Sequence, residues 1–330
     1  MLYNNQYHKN DLSDTSFLIT GGSGFIGSNI VEYLLKYGAK KVRVVDNLLT
    51  SSYDNLKKFE SNERFEFLKG DMRTFEVCVE AVKGMDVVTH QAALGSVPRS
   101  IDTPHLTNDH NVSGFVNLIQ AAKLEGIKRI VYASSSSVYG DDPTLPKQED
   151  KVGNPLSPYA VSKKTMEIYS NVFADLYGME LIGLRYFNVF GPNQSPKGAY
   201  AAVIPLFVDG IIKNTDVFVN GDGEQSRDFT FIENVVQANV LALLTDNEEA
   251  VNQLYNVAYG DRYTVNDLFF SIGKLLGSDQ KPVYRAERAG DIKHSLANTS
   301  KAQDLLGYKP LFNLQSGLEI SLEYYKNLVA

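Results

Sequence analysis

The chain has 330 residues, room for one large domain or two, and its 43 % hydrophobic and 22 % charged content is that of a globular protein. The net charge of −7 argues against nucleic acid and anionic membrane surfaces as partners. The single cysteine, Cys78, allows no internal disulfide, the first 14 residues are polar, and no run is long enough to span a bilayer, so a cytoplasmic, reducing location is expected.

The first predicted element is the strand Phe17-Leu18-Ile19-Thr20. Gly21-Gly22-Ser23-Gly24-Phe25-Ile26-Gly27 follows, then an amphipathic helix over 28–36. Strand, glycine turn and helix form the dinucleotide-binding arrangement. Gly21, Gly24 and Gly27 let the backbone approach a pyrophosphate, and the helix start offers unpaired N–H groups to it. A second strand, Val42-Arg43-Val44-Val45, ends at Asp46, 19 residues after Gly27. A carboxylate there binds the ribose hydroxyls and repels a 2′-phosphate, so NAD is expected rather than NADP.

Further strands are predicted at 65–68, 87–90, 129–133 and 181–185, with helices at 108–124 and 159–177 among the stretches between. Cys78 falls on a probable helix as a small core residue. Alternation of this kind predicts an α/β fold, a doubly wound parallel Rossmann sheet with a smaller C-terminal substrate domain. The expected division is a polar extension over 1–14, an NAD-binding domain over 15–188 with a return near 230–260, and a mainly substrate-binding part over 189–330. Ligands of such sheets sit beyond the strands' carboxyl ends. Those ends carry the glycine turn, Asp46, Asp71-Met72, Gln91-Ala92, residues 134–137 and Tyr186-Phe187-Asn188.

Two motifs bear the chemistry. Ser134-Ser135-Ser136-Ser137 follows the fifth strand and is expected to face the nicotinamide. In Ser157-Pro158-Tyr159-Ala160-Val161-Ser162-Lys163, Ser157 suits an N-cap and Pro158 the first helical position, which sets Tyr159 and Lys163 one turn apart on one face. A tyrosine of ordinary pKa about 10 is a poor base at neutral pH, and a fixed lysine charge is expected to lower that value. The pair reads as a proton shuttle for a hydroxyl. The five histidines (His8, His90, His105, His110 and His294) show no metal-ligand spacing, so no metal is expected.

The glycine turn, the serine turn before Val138-Tyr139-Gly140, Tyr159 with Lys163, and Arg185-Tyr186-Phe187-Asn188-Val189-Phe190-Gly191-Pro192 together resemble the extended short-chain dehydrogenase/reductase family, from about Phe17 to the C-terminus. Within it, residues 95–100 and 198–205 resemble the UDP-N-acetylglucosamine 4-epimerases of bacterial surface-polysaccharide pathways. The resemblance implies that Ser135 shares the sugar O4 proton with Tyr159, while Ser136 and Ser137 contact the sugar. It implies that tightly bound NAD is lined by Phe25, Ile26, Asp46, Asn47, Thr50, Ser51, Asp71, Met72, Gln91 and Ala92, joined by Tyr159, Lys163, Tyr186 and Val189. UDP would be held by Asn188, Asn220, Arg227, Arg288 and Asp291. It also implies a homodimer through a four-helix interface built on the helices at 108–124 and 157–177.

Sugar dehydratases resembling this fold carry an Asp-Glu pair just after the active hydroxyl, and decarboxylases usually a Glu. Ser136 and Ser137 stand there instead, which favours C4 epimerisation through a 4-keto sugar, with NAD regenerated in each cycle. Ser295 aligns with the gate where hexose 4-epimerases carry a tyrosine, so a 2-acetamido group is expected to fit, in a pocket completed by Gly95, Ser96, Gln194 and Ala202. The 6-carboxylate sugars stay open as substrates, with Arg99 or Lys197 as the cation. A decarboxylase or dehydratase is the alternative enzyme, and an NAD-sensing regulator the alternative class.

Overall fold

The alternating pattern folds into a seven-stranded sheet in a computed structural model that describes residues 2–194, 203–286 and 293–329. In chain order the strands are β1 (Ser16–Thr20), β2 (Lys41–Asp46), β3 (Phe65–Lys69), β4 (Val87–His90), β5 (Arg129–Ser135), β6 (Glu180–Tyr186), β7 (Val189–Phe190), β8 (Phe218–Asn220), β9 (Ser226–Arg227), β10 (Thr230–Phe231), β11 (Leu254–Val257), β12 (Tyr263–Thr264) and β13 (Val283–Arg285). The large sheet runs β3-β2-β1-β4-β5-β6-β11, and every neighbouring pair in it is parallel. Both faces are covered, which is why β1 reads as a continuous apolar run rather than an alternating one. The remaining strands form the two-residue or three-residue pairs β7–β10, β9–β12 and β8–β13.

The helices are α1 (Phe25–Lys36), α2 (Phe75–Val82), α3 (Val97–Asp102), α4 (Pro104–Asn108), α5 (Gly114–Glu125), α6 (Pro158–Tyr177), α7 (Val203–Ile212), α8 (Ile232–Leu244), α9 (Val265–Leu276), α10 (Ser300–Leu306) and α11 (Leu314–Val329). On one face of the sheet, Ile30, Val31 and Leu34 of α1 join Val235, Val236 and Val240 of α8 over Ile19, Val42 and Val44. On the other, Cys78 and Ala81 of α2, Phe115 and Leu118 of α5 and Met166 of α6 cover Leu18, Val45, Val88 and Ile130. The observed fold class and the return strand β11, paired to β6, are those expected.

Two local differences matter. The helix expected over 108–124 is interrupted by a π-helical turn at Asp109–Ser113, because the buried Asn111 side chain bonds outside the helix. Its Oδ1 accepts from Leu94 N–H at 2.8 Å and its Nδ2 donates to Ser162 Oγ at 3.0 Å. The segment 2–14, polar in composition, sends Tyr3 and Leu12 fully into the core against α1. Among the described residues no helix is long and apolar enough to cross a membrane.

Candidate active site

The strand order reverses between β1 and β4, and a cavity opens there at their carboxyl ends. Gly21, Gly24, Asp46, Asn47, Thr50, Ser51, Asp71, Met72, Gln91 and Ala92 all line it. Gly21 adopts φ +66°, and a Cβ there would lie 2.6 Å from Ala92 N, so only glycine fits this approach. A Cβ on Gly27 would lie 2.4 Å from the Gly21 carbonyl oxygen. Helix α1 begins behind this turn with Phe25, Ile26 and Gly27, and it has neither a side-chain cap nor an acidic residue in its first turn. Its N–H groups and dipole are thus left for an anion. The Asp46 carboxylate is held by three protein donors: Ser23 N–H at 3.0 Å, Leu48 N–H at 2.8 Å and Ser51 Oγ at 3.1 Å. Asp71 donates nothing and is kept ionised, well below the usual carboxylate range, by the Arg73 guanidinium at 2.8 Å. A glycine cradle, an uncapped helix start and a positioned carboxylate fit NAD.

The two catalytic motifs meet at the ends of β5 and α6. Ser157 Oγ caps α6 by accepting from Ala160 N–H at 3.1 Å, which sets Tyr159 in the first turn and Lys163 one turn later. Ser135 ends β5, and its Oγ accepts from Ser137 N–H at 3.2 Å. Ser137 Oγ is buried and finds no protein partner. Burial raises the Tyr159 phenol above its ordinary value, and a hydrogen bond with Ser135 opposes the rise. The lowering expected from Lys163 is therefore not what the protein alone produces. The lysine Nζ donates to the Ala133 carbonyl at 2.6 Å and stands 5.9 Å from the centre of the Tyr159 ring. Burial brings Lys163 itself down to about 7, with Glu167, a further turn along α6, opposing it. Glu167 in turn receives Ser134 Oγ at 2.7 Å and Arg185 Nε at 2.8 Å, a buried pair under the serine turn and the lysine.

Tyr186, at the end of β6, ties Gln91 to the core: its hydroxyl donates toward Gln91 Oε1 at 3.2 Å and accepts from Asn239 Nδ2 at 2.8 Å. Val189 is partly buried at the start of β7. Just before it, Asn188 lines a second cavity together with Asn220 and Arg227. Arg227 donates to the Ser226 and Lys293 carbonyls. The other residues expected at the sugar are more scattered. Ser96 caps α3 by accepting from Arg99 N–H at 3.2 Å, with Gly95 just before it. Gln194 has its amide engaged by the Val189 carbonyl at 3.0 Å and the Tyr325 hydroxyl at 3.2 Å. Ser295 bonds through its N–H to the Ser226 carbonyl, beside Arg227, at 3.0 Å. Ala202, Arg288, Asp291 and Lys197 lie outside the described residues.

Sequence reasoning missed His110 and Leu94 in the first cavity, and Arg285 and Gln225 in the second. His110 reaches the cavity from the π-helical turn, for which Asp-His-Asn in mid-helix was a signal, since asparagine there competes with the helix backbone. Arg285 holds Asn220 Oδ1 at 2.6 Å and lies in a three-residue strand too short for a periodic signature.

A cofactor cradle at the switch point of a doubly wound sheet, beside Tyr159, Lys163 and Ser135, defines an NAD-dependent enzyme of the short-chain dehydrogenase/reductase type. The NAD dependent epimerase/dehydratase family matches residues 17–258, and the chain belongs to that family. It is similar to the UDP-N-acetylglucosamine 4-epimerase of Methanobrevibacter ruminantium, solved with UDP-N-acetylmuramic acid: 38 % identity over 95 % of this chain and 99 % of that one, with a TM-score of 0.90. The UDP-glucose 4-epimerase of Mycolicibacterium smegmatis is 34 % identical over 94 % of this chain and 98 % of its own. The UDP-glucuronate 4-epimerase of Thermodesulfobacterium geofontis is 33 % identical over 94 % and 96 %.

Proposed function

We propose that the chain is an NAD-dependent UDP-sugar 4-epimerase that interconverts UDP-N-acetylglucosamine and UDP-N-acetylgalactosamine, and their 6-carboxylate forms, for surface polysaccharide synthesis. The observation that carries the reading is the serine turn. Ser135 ends β5 and lowers the Tyr159 phenol against the effect of burial, and the positions after it, Ser136 and Ser137, hold no carboxylic acid with which to eliminate water or carbon dioxide.

When bound, NAD supplies hydride acceptance and return at sugar C4. Tyr159 takes and returns the O4 proton, Ser135 bonds the same oxygen, and the Lys163 ammonium favours the phenolate. The buried Ser137 Oγ has no protein partner, which leaves it free for a sugar hydroxyl. UDP lies along Asn188, Asn220 and Arg227, the family resemblance adds Arg288 and Asp291, and arginine suits its diphosphate because the guanidinium bonds two oxygens at once. The family resemblance assigns the surroundings of the C2 substituent to Gly95, Ser96, Gln194, Ala202 and Ser295. Cofactor binding belongs mainly to 15–188 and the return near 230–260, and sugar binding mainly to 189–330. The chain pairs as a homodimer through a four-helix interface of the helices over 108–124 and 157–177, and on α6 Val161, Ile168, Val172 and Leu176 stand exposed.

The hydride returns to the sugar it left, so NAD must stay bound through the cycle. Purified protein is expected to release NAD(H) on denaturation and to epimerise UDP-N-acetylglucosamine with none added. Resolving the products from UDP-N-acetylglucosamine, its 6-carboxylate, UDP-glucose and UDP-glucuronate ranks the sugars. Absence of bound nucleotide with a requirement for stoichiometric NAD⁺ would overturn the epimerase reading.

A further inference from the structure

Tyr3 is held at three points. Its ring packs edge-on against Tyr33 at 5.9 Å, its carbonyl accepts from the Tyr37 hydroxyl at 2.9 Å, and its hydroxyl donates to Asn29 Oδ1 at 2.5 Å. Its φ is +61°, a conformation that a bulky residue keeps only when its surroundings impose it. Asn29 is fully buried on α1, one turn past Phe25. With Oδ1 committed to Tyr3, its Nδ2 donates to the Phe25 carbonyl at 2.8 Å and to the Pro192 carbonyl at 3.0 Å. Both amide hydrogens go to carbonyls, which can only accept, so Phe25 and Pro192 fix which way the amide faces, and the Tyr3 hydroxyl anchors the oxygen on its other side. Pro192 lies between Val189, assigned above to the cofactor, and Gln194, assigned to the sugar.

We propose that the segment 2–14 is a positioning strap: through Tyr3 and Asn29 it fixes the turn at 191–193, which sets how the chain passes from the cofactor to the sugar. The proposal rests on the site reading given above. Tyr3 is a positioning residue, since it acts on the site only through Asn29.

Tyr3→Phe removes the hydroxyl and keeps the buried ring. The expected result is a rise of about 3–10-fold in KM for UDP-N-acetylglucosamine, with kcat within about twofold and NAD content unchanged. Combining it with Asn29→Ala should add little beyond Asn29→Ala alone, because the two act in series. Tyr7→Phe is the control. It deletes a hydroxyl of the same segment that bonds Glu233 at 2.7 Å and not Asn29, so it should lower Tm and leave KM alone. Hydrogen exchange at the amides of Gly191, Asn193 and Gln194 reads the turn without any assay, and Tyr3→Phe should speed it while Tyr7→Phe does not. If both variants lower Tm and neither moves KM or exchange, the segment only stabilises the fold and the proposal fails. If wild-type protein turns over no UDP-sugar yet Tyr3→Phe still speeds exchange at the turn, the functional reading fails and the strap stands.

Discussion

The two cavities are built in contrasting ways. The first is framed by the ends of long, buried parallel strands, and its key carboxylate, Asp46, is held by three protein donors. The second is framed by helix α7, by strands of two or three residues and by Arg227 and Arg285, the latter bonding its register partner Asn220 on β8. A cofactor that stays through every turnover needs a cradle fixed in advance. Under the reading proposed above, the second cavity takes the UDP end of a substrate that enters and leaves in every turnover. The difference in construction thus matches a difference in what each half must allow.

Tyr159 stands in the first turn of α6, and its removal should separate binding from chemistry most sharply. Tyr159→Phe is expected to lower kcat by roughly 10²–10⁴ while UDP-sugar affinity and NAD content persist. Single-turnover kinetics with titration of the UDP-sugar measures both, and near wild-type turnover would remove Tyr159 from the mechanism. Ser295→Tyr tests the sugar half alone. A ring facing the C2 substituent should cost about 10–200-fold in kcat/KM on UDP-N-acetylglucosamine and spare UDP-glucose. The ratio of the two is the informative quantity, since a folding defect lowers both, and an unchanged ratio takes Ser295 out of the pocket.

The smallest effect concerns the cofactor half. Lys163 falls to about 7 in the fold from an ordinary 10.5, so between those values the unfolded chain binds the extra proton. Its contribution to stability therefore rises with pH across that window and is lost as the pH falls through about 7. Lys163→Met should flatten this dependence, with Tm differing from wild type by about 2–5 °C more at pH 6.5 than at pH 9. Parallel Tm curves for the two proteins would show that the lysine carries no burial cost.

Legibility in the sequence followed the same divide. Long buried strands are continuous apolar runs, and the residues at their ends, Asp46, Asp71 and Gln91, could be placed by counting from them. The cap at Ser157 set the phase of Tyr159 and Lys163 directly. By contrast, no periodicity marks a strand as short as β8 or β13, so Arg285 went unseen while its partner Asn220 entered only by family resemblance. The buried pair of Glu167 with Arg185 was hidden for another reason: its members are distant in sequence, and only the sheet brings β6 under α6. The Tyr159 value was misjudged because spacing reveals a neighbouring charge but not the burial that outweighs it.

Strand β11 comes from the later half of the chain, yet it completes the sheet alongside β6, Leu254 opposite Gly183 and Val257 opposite Tyr186. The two halves are therefore interlocked rather than modular. Under the reading proposed above, an exchange of sugar preference between relatives is made at Gly95, Ser96, Gln194, Ala202 and Ser295, leaving β11 in place. Cutting the chain into a cofactor cassette and a sugar cassette would strip an outer strand from one and its hydrogen-bonding partner from the other.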